Sequence, residues 1–256
     1  MADLSKVSVG IKTFLRNSKL INTIDAISRT MPDAKMIIAD CGDHTSEKNK
    51  IYADLLCLGH QIIQMDFDAG FGAMSNAIAG RVDTPYLLIG SDDFNFDPPS
   101  VRTGIEKMLD VLENSDVDIA SGRVRGPYEF DLEDLGSTVI EHKREMSELD
   151  KRSWYVEVDL TVNFSIVKKH VFDKVRWLDS VKICGGEHGA NFISHKRAGH
   201  KVAWVPQVQI TEQEGVDSLR YQQYRRRCGP ERPAFDAIGV RKYVLATGQI
   251  DYEVKA

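Results

Sequence analysis

A chain of 256 residues, 42% hydrophobic and 28% charged, can bury one large core and needs neither disulfides nor a structural metal to fold. Its formal charge of −5 excludes attraction to nucleic acid or an anionic membrane through bulk charge, and leaves only local basic patches for such contacts. Cys41, Cys57, Cys184 and Cys228 stand far apart without a Cys-x-x-Cys pair, which argues against a zinc site or a disulfide framework.

The N-terminal segment lacks the apolar stretch of a signal peptide and no run has the apolar length of a membrane span, so a cytoplasmic location is expected. Residues 7–12 (VSVGIK) read as a first strand, and 18–29 repeat Leu20, Ile21, Ile24 and Ile27 at helical spacing. Residues 35–39 are a second strand ending at Asp40, and 46–58 a helix that Ser46 can cap. A third strand at 60–65, a short helix at 72–80 and a fourth strand at 86–90 follow. Pro99 then opens a helix to residue 113 with Val101, Ile105, Met108, Leu109 and Leu112 on one face. Strands separated by single helices imply parallel βαβ units, whose ligands gather at the carboxyl ends of the strands. Function is therefore sought in the loops 13–17, 40–45, 66–72 and 91–98.

The second half reads differently. Residues 118–125 and 159–167 have strand character, 186–198 helical and 201–205 strand character again. Residues 128–151 are polar and weakly periodic, a long excursion that is either a hairpin or a lid. From Val216 onward the chain is polar, aromatic and basic.

The strongest local feature is the run Leu87-Leu88-Ile89-Gly90-Ser91-Asp92-Asp93, an apolar strand delivering two carboxylates at its carboxyl end. Carboxylate oxygens suit a hard divalent cation, and such a cation stabilises a departing diphosphate. The plain alternative is a pair of loop carboxylates that cap the next helix.

With residues 7–17 (VSVGIKTFLRN), 37–40 (IIAD) and 70–76 (GFGAMSN) arriving before this acidic turn at βαβ spacing, the chain resembles family-2-type glycosyltransferases of the GT-A fold. It is most similar to the β1,4-N-acetylgalactosaminyltransferase and β1,4-galactosyltransferase group, over residues 5–215 and most strongly to Pro98. The resemblance implies that Thr13, Phe14 and Arg16 line a nucleotide pocket and that Asp40 contacts the base or ribose. It implies that Gly70 and Gly72 let the backbone approach the nucleotide, and that Asn76 holds the place of the family's helix asparagine. Asp93 matches the last carboxylate of the DxD motif and is the expected ligand of Mn²⁺ or Mg²⁺. Ser91 stands where the first aspartate usually is, which shifts ribose contact toward Asp92, and Ser75 stands where many relatives carry arginine.

Cys184-Gly185-Gly186-Glu187-His188 resembles the family's Gly-Gly-Glu-Asp acceptor motif. Transfer to a hydroxyl needs a base to take its proton, and Glu187 is the choice, with His188 as rival base or acceptor contact. Their alternatives are a first-turn glutamate favoured by the helix dipole and an ordinary satisfied histidine. Glu212 stands where relatives often have a metal-binding histidine, with a solvated loop glutamate as its alternative. Asp159 and Asn163 match an aspartate and an asparagine of a family strand, a match that implies contact with the donor sugar, with a polar edge position as the alternative. In the run Arg220-Tyr221-Gln222-Gln223-Tyr224-Arg225-Arg226-Arg227, aromatics and arginines together, Arg225, Arg226 and Arg227 above all, are suited to grip a polyanionic acceptor, although such a run is also the ordinary solvated face of a helix.

These readings converge on an α/β protein with a GT-A, Rossmann-like, mostly parallel central sheet flanked by helices. Residues 1–215 form the catalytic domain, with a donor-binding half at 1–98 and an acceptor half at 99–215. Residues 216–256 are expected as a helical, basic tail on or near the active site. The expected activity is inverting, metal-dependent transfer from a nucleotide-sugar, UDP by resemblance, to a glycan hydroxyl or a modified DNA base. A non-catalytic sugar- or nucleic-acid-binding module is one alternative. A sugar nucleotidyltransferase is another, disfavoured because residues 10–13 (GIKT) hold one glycine and no phosphate loop.

Overall fold

The computed structural model describes residues 3–124, 130–161, 164–182, 186–225 and 232–254. Strands β1 (Val7–Thr13), β2 (Lys35–Asp40) and β3 (Gln61–Gln64) alternate with helices α1 (Asn17–Thr30), α2 (Ser46–Cys57) and α3 (Phe71–Ala79). Then come β4 (Tyr86–Ser91), the short β5 (Phe94–Asn95), α4 (Pro99–Asn114) and β6 (Ile119–Arg123). A hairpin of β7 (Phe130–Asp134) and β8 (Thr138–Lys143) precedes α5 (Glu148–Arg152), β9 (Val156–Val158) and β10 (Ser165–Lys168). The chain continues through α6 (Glu187–Arg197), β11 (Val202–Gln209), β12 (Thr211–Glu212), α7 (Leu219–Arg225) and α8 (Pro233–Ala237), and closes with β13 (Lys242–Val244) and β14 (Ile250–Glu253).

Among the described residues the central sheet has the order β3-β2-β1-β4-β10-β6-β11-β9. The first four strands are mutually parallel, as the βαβ reading required. Parallel order ends there: β10 runs antiparallel to both β4 and β6, and β9 antiparallel to β11, so the second half is mixed. Alternation in β1 sorts the layers, because successive strand side chains point to opposite faces. Val7, Val9 and Ile11 join Leu20, Ile24 and Ile27 of α1 and Ile105, Met108 and Leu109 of α4 in one core. Met74 and Ile78 of α3 pack with Phe192 and Ile193 of α6 in the second core, on the opposite face. Gly10 makes that second face possible, since a Cβ there would sit 2.6 Å from an Ile78 methyl.

In the second half, the described part of the excursion over 128–151 holds the β7–β8 hairpin followed by α5, the first of its two readings. The segment after 215 is only partly helical: β13 pairs in parallel with β8, and β14 completes a separate four-stranded sheet, β14-β13-β8-β7. Chain beyond 215 is thus woven into the same small sheet as the hairpin at 130–143. No helix is long and apolar enough to cross a membrane among the described residues.

Candidate active site

A cleft of about 210 Å³ opens at the carboxyl ends of β1 and β4, where the parallel half of the sheet directs its loops. One arginine organises its floor. Arg16 reaches Asp93 at 2.5 Å through one nitrogen and Asp92 through the other, a forked guanidinium matched to two adjacent carboxylates. Asp92 is completely buried and also accepts a hydrogen bond from Thr13 Oγ1 at 2.8 Å. Burial pushes its carboxyl up to about 6, against the pull of Arg16. Asp93 lies at the cleft wall and accepts from Ser91 Oγ at 2.5 Å. Partial burial works to raise it, but Arg16 and the Ser91 hydrogen bond prevail and hold it below the usual carboxylate range. Asp93 is therefore the more acidic member of the pair.

Opposite this floor stands Lys12, on the α3 face of β1. It is 7% exposed, and its ammonium donates to the Gly90 carbonyl at 3.1 Å and lies 4.8 Å from the Phe71 ring centroid. Burial lowers it to about 8, only partly offset by Asp92 and Asp93. A buried ammonium facing a ligand cleft is a natural partner for an anion. Phe71 continues into an aromatic corner: its ring centroid is 5.1 Å from His188 and 4.8 Å from Trp177. His188 shows 42% of its side-chain surface, yet enclosure among these groups pushes its imidazole down to about 4. Glu187 opposes that fall, and Lys12 and Arg225 add to it. His188 is neutral at pH 7 and a weak base. Glu187, the first residue of α6 and 8% exposed, lines the cleft beside it.

The remaining wall is α7. Tyr224 packs edge-on to Phe14 at 5.1 Å and to Phe67 at 5.7 Å, and the Arg16 guanidinium stacks on Tyr221 at 4.6 Å. Ion pairs from Arg220 to Asp43 and from Lys19 to Asp217, the latter at 2.9 Å, tie this wall to the loop after β2 and to α1. Glu212 enters through β12, whose pairing with β5 sets Glu212 opposite Phe94, next to Asp93 in sequence. No group of three or more His, Cys, Asp or Glu side chains able to hold a metal occurs among the described residues. Asp93 and Glu212 are the two carboxylates of this wall that could hold a hard cation taking its other oxygens from phosphate and water, as Mg²⁺-type sites with one or two carboxylates do, with Asp93 also engaged by Arg16 and Ser91.

Several expected site residues therefore meet at this cleft: Thr13, Phe14, Arg16, Gly70, Ser91 and Asp93 on the donor side, and Glu187, His188, Glu212 and Arg225 on the other. Four others do not line it. Asp40 is fully buried, held by Lys48 at 2.8 Å, the Tyr52 hydroxyl at 2.7 Å and the Gly42 amide at 2.9 Å; it shapes the loop after β2 instead of facing a base. Asn76 grips Trp177, accepting from its N–H at 3.0 Å and donating to its carbonyl at 2.7 Å. Gly72 is required by packing, since a Cβ would collide with the Leu178 carbonyl. Asp92, the substitute ribose contact, is sealed beneath Arg16 and Thr13. At Gly70 the close approach the structure shows is to the protein's own chain: its φ of +101° suits glycine, and a Cβ would sit 2.7 Å from Lys182 Cα. Arg226 and Arg227, with Asn163, Cys184, Gly185 and Cys228, lie outside the described residues. Asp159 is bound to Lys196 at 2.6 Å and to the Leu132 amide at 2.8 Å, in the second half of the fold.

Sequence reasoning passed over Lys12, Phe71 and Lys182. The alternation Val7, Val9, Ile11 was the available signal for Lys12, because it puts Ser8, Gly10 and Lys12 together on the buried face toward α3.

No family model matches the chain. Mouse β1,4-N-acetylgalactosaminyltransferase 2 is 35% identical over 127 residues, which are 49% of this chain and 23% of the relative. Human β1,4-N-acetylgalactosaminyltransferase 1 is 34% identical over 119 residues, 46% of this chain and 20% of the relative. The matched stretch is thus less than a quarter of the length of these relatives. Among solved structures, GalNAc-T7 with UDP, GalNAc and Mn²⁺ superposes with a TM-score of 0.64 at 12% identity, over 82% of this chain and 44% of that one. TarS of S. aureus, residues 1–349, superposes with a TM-score of 0.55 at 10% identity, over 81% and 60%. The chain has the GT-A glycosyltransferase fold, and over about half its length it is similar in sequence to the β1,4-N-acetylgalactosaminyltransferases.

Proposed function

We propose that this chain is a glycosyltransferase that moves an N-acetylhexosamine or hexose from a UDP-sugar to an acceptor hydroxyl. The observation that carries the reading is the composition of the cleft. One end of the parallel sheet brings together an ionised carboxylate, Asp93, a second carboxylate, Glu212, a buried ammonium, Lys12, and the aromatic wall of Phe14, Tyr221 and Tyr224. The sequence relatives named for N-acetylgalactosamine transfer, and a structural neighbour solved with UDP, GalNAc and Mn²⁺, support the same choice of donor.

Asp93 and Glu212 would hold Mn²⁺ or Mg²⁺, which supplies positive charge to a diphosphate as it leaves. The aromatic wall packs the nucleoside, and Lys12 adds a fixed positive charge in a poorly hydrated place, where electrostatic stabilisation is strongest. Glu187 takes the acceptor hydroxyl's proton as that oxygen attacks the anomeric carbon from the face opposite the diphosphate. The new carbon–oxygen bond forms as the bond to phosphate breaks, the electron pair leaves on UDP, and the anomeric configuration inverts. Neutral His188, with its low basicity, orients the acceptor beside that base.

Release of UDP from UDP-N-acetylgalactosamine and UDP-glucose, followed with Mn²⁺ and a panel of acceptor glycosides, tests the reading. Turnover that Asp93→Ala lowers at least a hundredfold is expected. Nucleotide binding with no turnover of any donor would instead favour a binding module on this fold.

A further inference from the structure

Behind the donor cleft lies a second cavity of about 710 Å³, which shares Glu187, His188 and Arg225 with it. Its walls come from outside the parallel βαβ half. Phe130 and Glu141 belong to the β7–β8 hairpin, and Leu245 and Ala246 to the turn between β13 and β14, brought alongside by the parallel register Thr138↔Lys242, Val139↔Tyr243 and Ile140↔Val244. Phe235 of α8 stacks on Tyr243 with ring centroids 4.4 Å apart and planes 18° apart. This stack reaches the start of α6 only because residues 186 and 189 are glycines, where a Cβ would lie 3.1 Å and 3.0 Å from the Phe235 ring. The second cavity and the candidate base Glu187 are therefore built as one unit.

We infer that this cavity seats the acceptor, and that it selects a hydroxyl borne next to an apolar ring or chain rather than a wholly hydroxylated oligosaccharide. This rests on the transferase reading above. The volume is that of a site for a small organic ligand, far beyond what one hydroxyl needs. The chemistry of the walls is the discriminating part. Phe130, Leu160, Leu245 and Ala246 present carbon, and two of the cavity's carboxylates are committed within the protein. Glu141 accepts the Tyr243 hydroxyl and lies 3.4 Å from the Ala246 amide, and Asp251 takes the Arg232 guanidinium at 3.0 and 3.1 Å. Among the described residues no Asn or Gln side chain lines it. The other polar side chains among the described lining are Lys143, Thr247, Glu187, His188 and Arg225; a sugar chain would have to set all its hydroxyls on these few groups, whereas an apolar ring gains by leaving water on the carbon walls.

Binding of 4-nitrophenyl β-D-galactoside and methyl β-D-galactoside to the full chain, with UDP and Mn²⁺ present, tests this by ligand-observed NMR titration. The aryl glycoside is expected to bind at least tenfold more tightly. Ala246→Trp, which fills the cavity, is expected to abolish that preference while UDP affinity stays within twofold; Ala246→Ser is expected to keep it. Thr247→Trp, on the exposed turn, blocks the mouth without touching the Glu141 contacts and is expected to act likewise should Ala246→Trp not fold. Equal affinity for the two glycosides, or an aryl preference that survives a folded blocking variant, would overturn the inference. Loss of UDP affinity in step with the aryl preference would also overturn it, by showing one undivided site. Aryl preference in a protein that turns over no UDP-sugar would support the cavity's selectivity and sink the transferase reading instead.

Discussion

Lys12 is the side chain whose presence is hardest to justify by stability alone. A lysine held at about 8 in the fold, against 10.5 when unfolded, costs roughly 3 kcal/mol at neutral pH. The penalty is complete below pH 8 and disappears as pH rises from about 8 to about 10.5, because only the charged form resists burial. Lys12→Met should therefore raise stability by about 1–3 kcal/mol at pH 7 in chemical denaturation, and the gain should shrink toward pH 10. The same substitution should weaken UDP binding about tenfold at pH 7, and wild-type affinity should fall as pH passes 8. Unchanged UDP affinity in Lys12→Met would remove Lys12 from the binding site. At this scale the sequence was informative about residue type and less so about direction. The acidic turn was visible in the run from Leu87 to Asp93, but which of Asp92 and Asp93 faces the cleft depends on Arg16, seventy-six residues from Asp92, reaching across to pair with both.

Asn76 shows how an element can carry a motif for reasons other than ligand contact. Together with Gly72 it docks α3 against residues 177–179, on the path that leads to Glu187 at the head of α6. Asn76→Ala is expected to cost about 1–3 kcal/mol by leaving the Trp177 backbone groups without their partner, with UDP affinity within threefold of wild type. A large loss of UDP affinity at unchanged stability would restore direct nucleotide contact. Helices and strands of the first half were legible to within a few residues because each βαβ unit is local: one strand, one turn and one amphipathic helix. The reversal of β10 between β4 and β6 was not legible, since strand direction in a sheet is decided by which distant neighbours pair, and residues 165–168 have the same apolar character in either direction.

Across the whole molecule, the segment after residue 215 is where sequence composition was least informative about structure, although its α7 does line the cleft. The basic, aromatic composition after Val216 suggested a helical appendage, whereas β13 pairs with β8 across about a hundred residues and Phe235 packs on the start of α6. Nothing local announces a parallel pairing of that span. Truncation after residue 215 would leave β8 paired with β7 alone, take Phe235, Tyr243 and Tyr252 from the core that holds Val139 and Leu132, and remove Tyr221 and Tyr224 from the cleft. The truncated chain is expected to lose cooperative thermal unfolding or aggregate; an intact, UDP-binding 1–215 fragment would show the last segment to be dispensable.

The central claim is that the carboxylate end of β4 holds a cation against a nucleotide diphosphate. Calorimetric titration of UDP into the full chain, with Mn²⁺ and then with chelator, for wild type and Asp93→Asn, tests it most directly. UDP affinity should rise at least tenfold with Mn²⁺ in the wild type, and that rise should vanish in the folded variant. Equal UDP affinity with and without Mn²⁺, or a manganese effect untouched by Asp93→Asn, would contradict it.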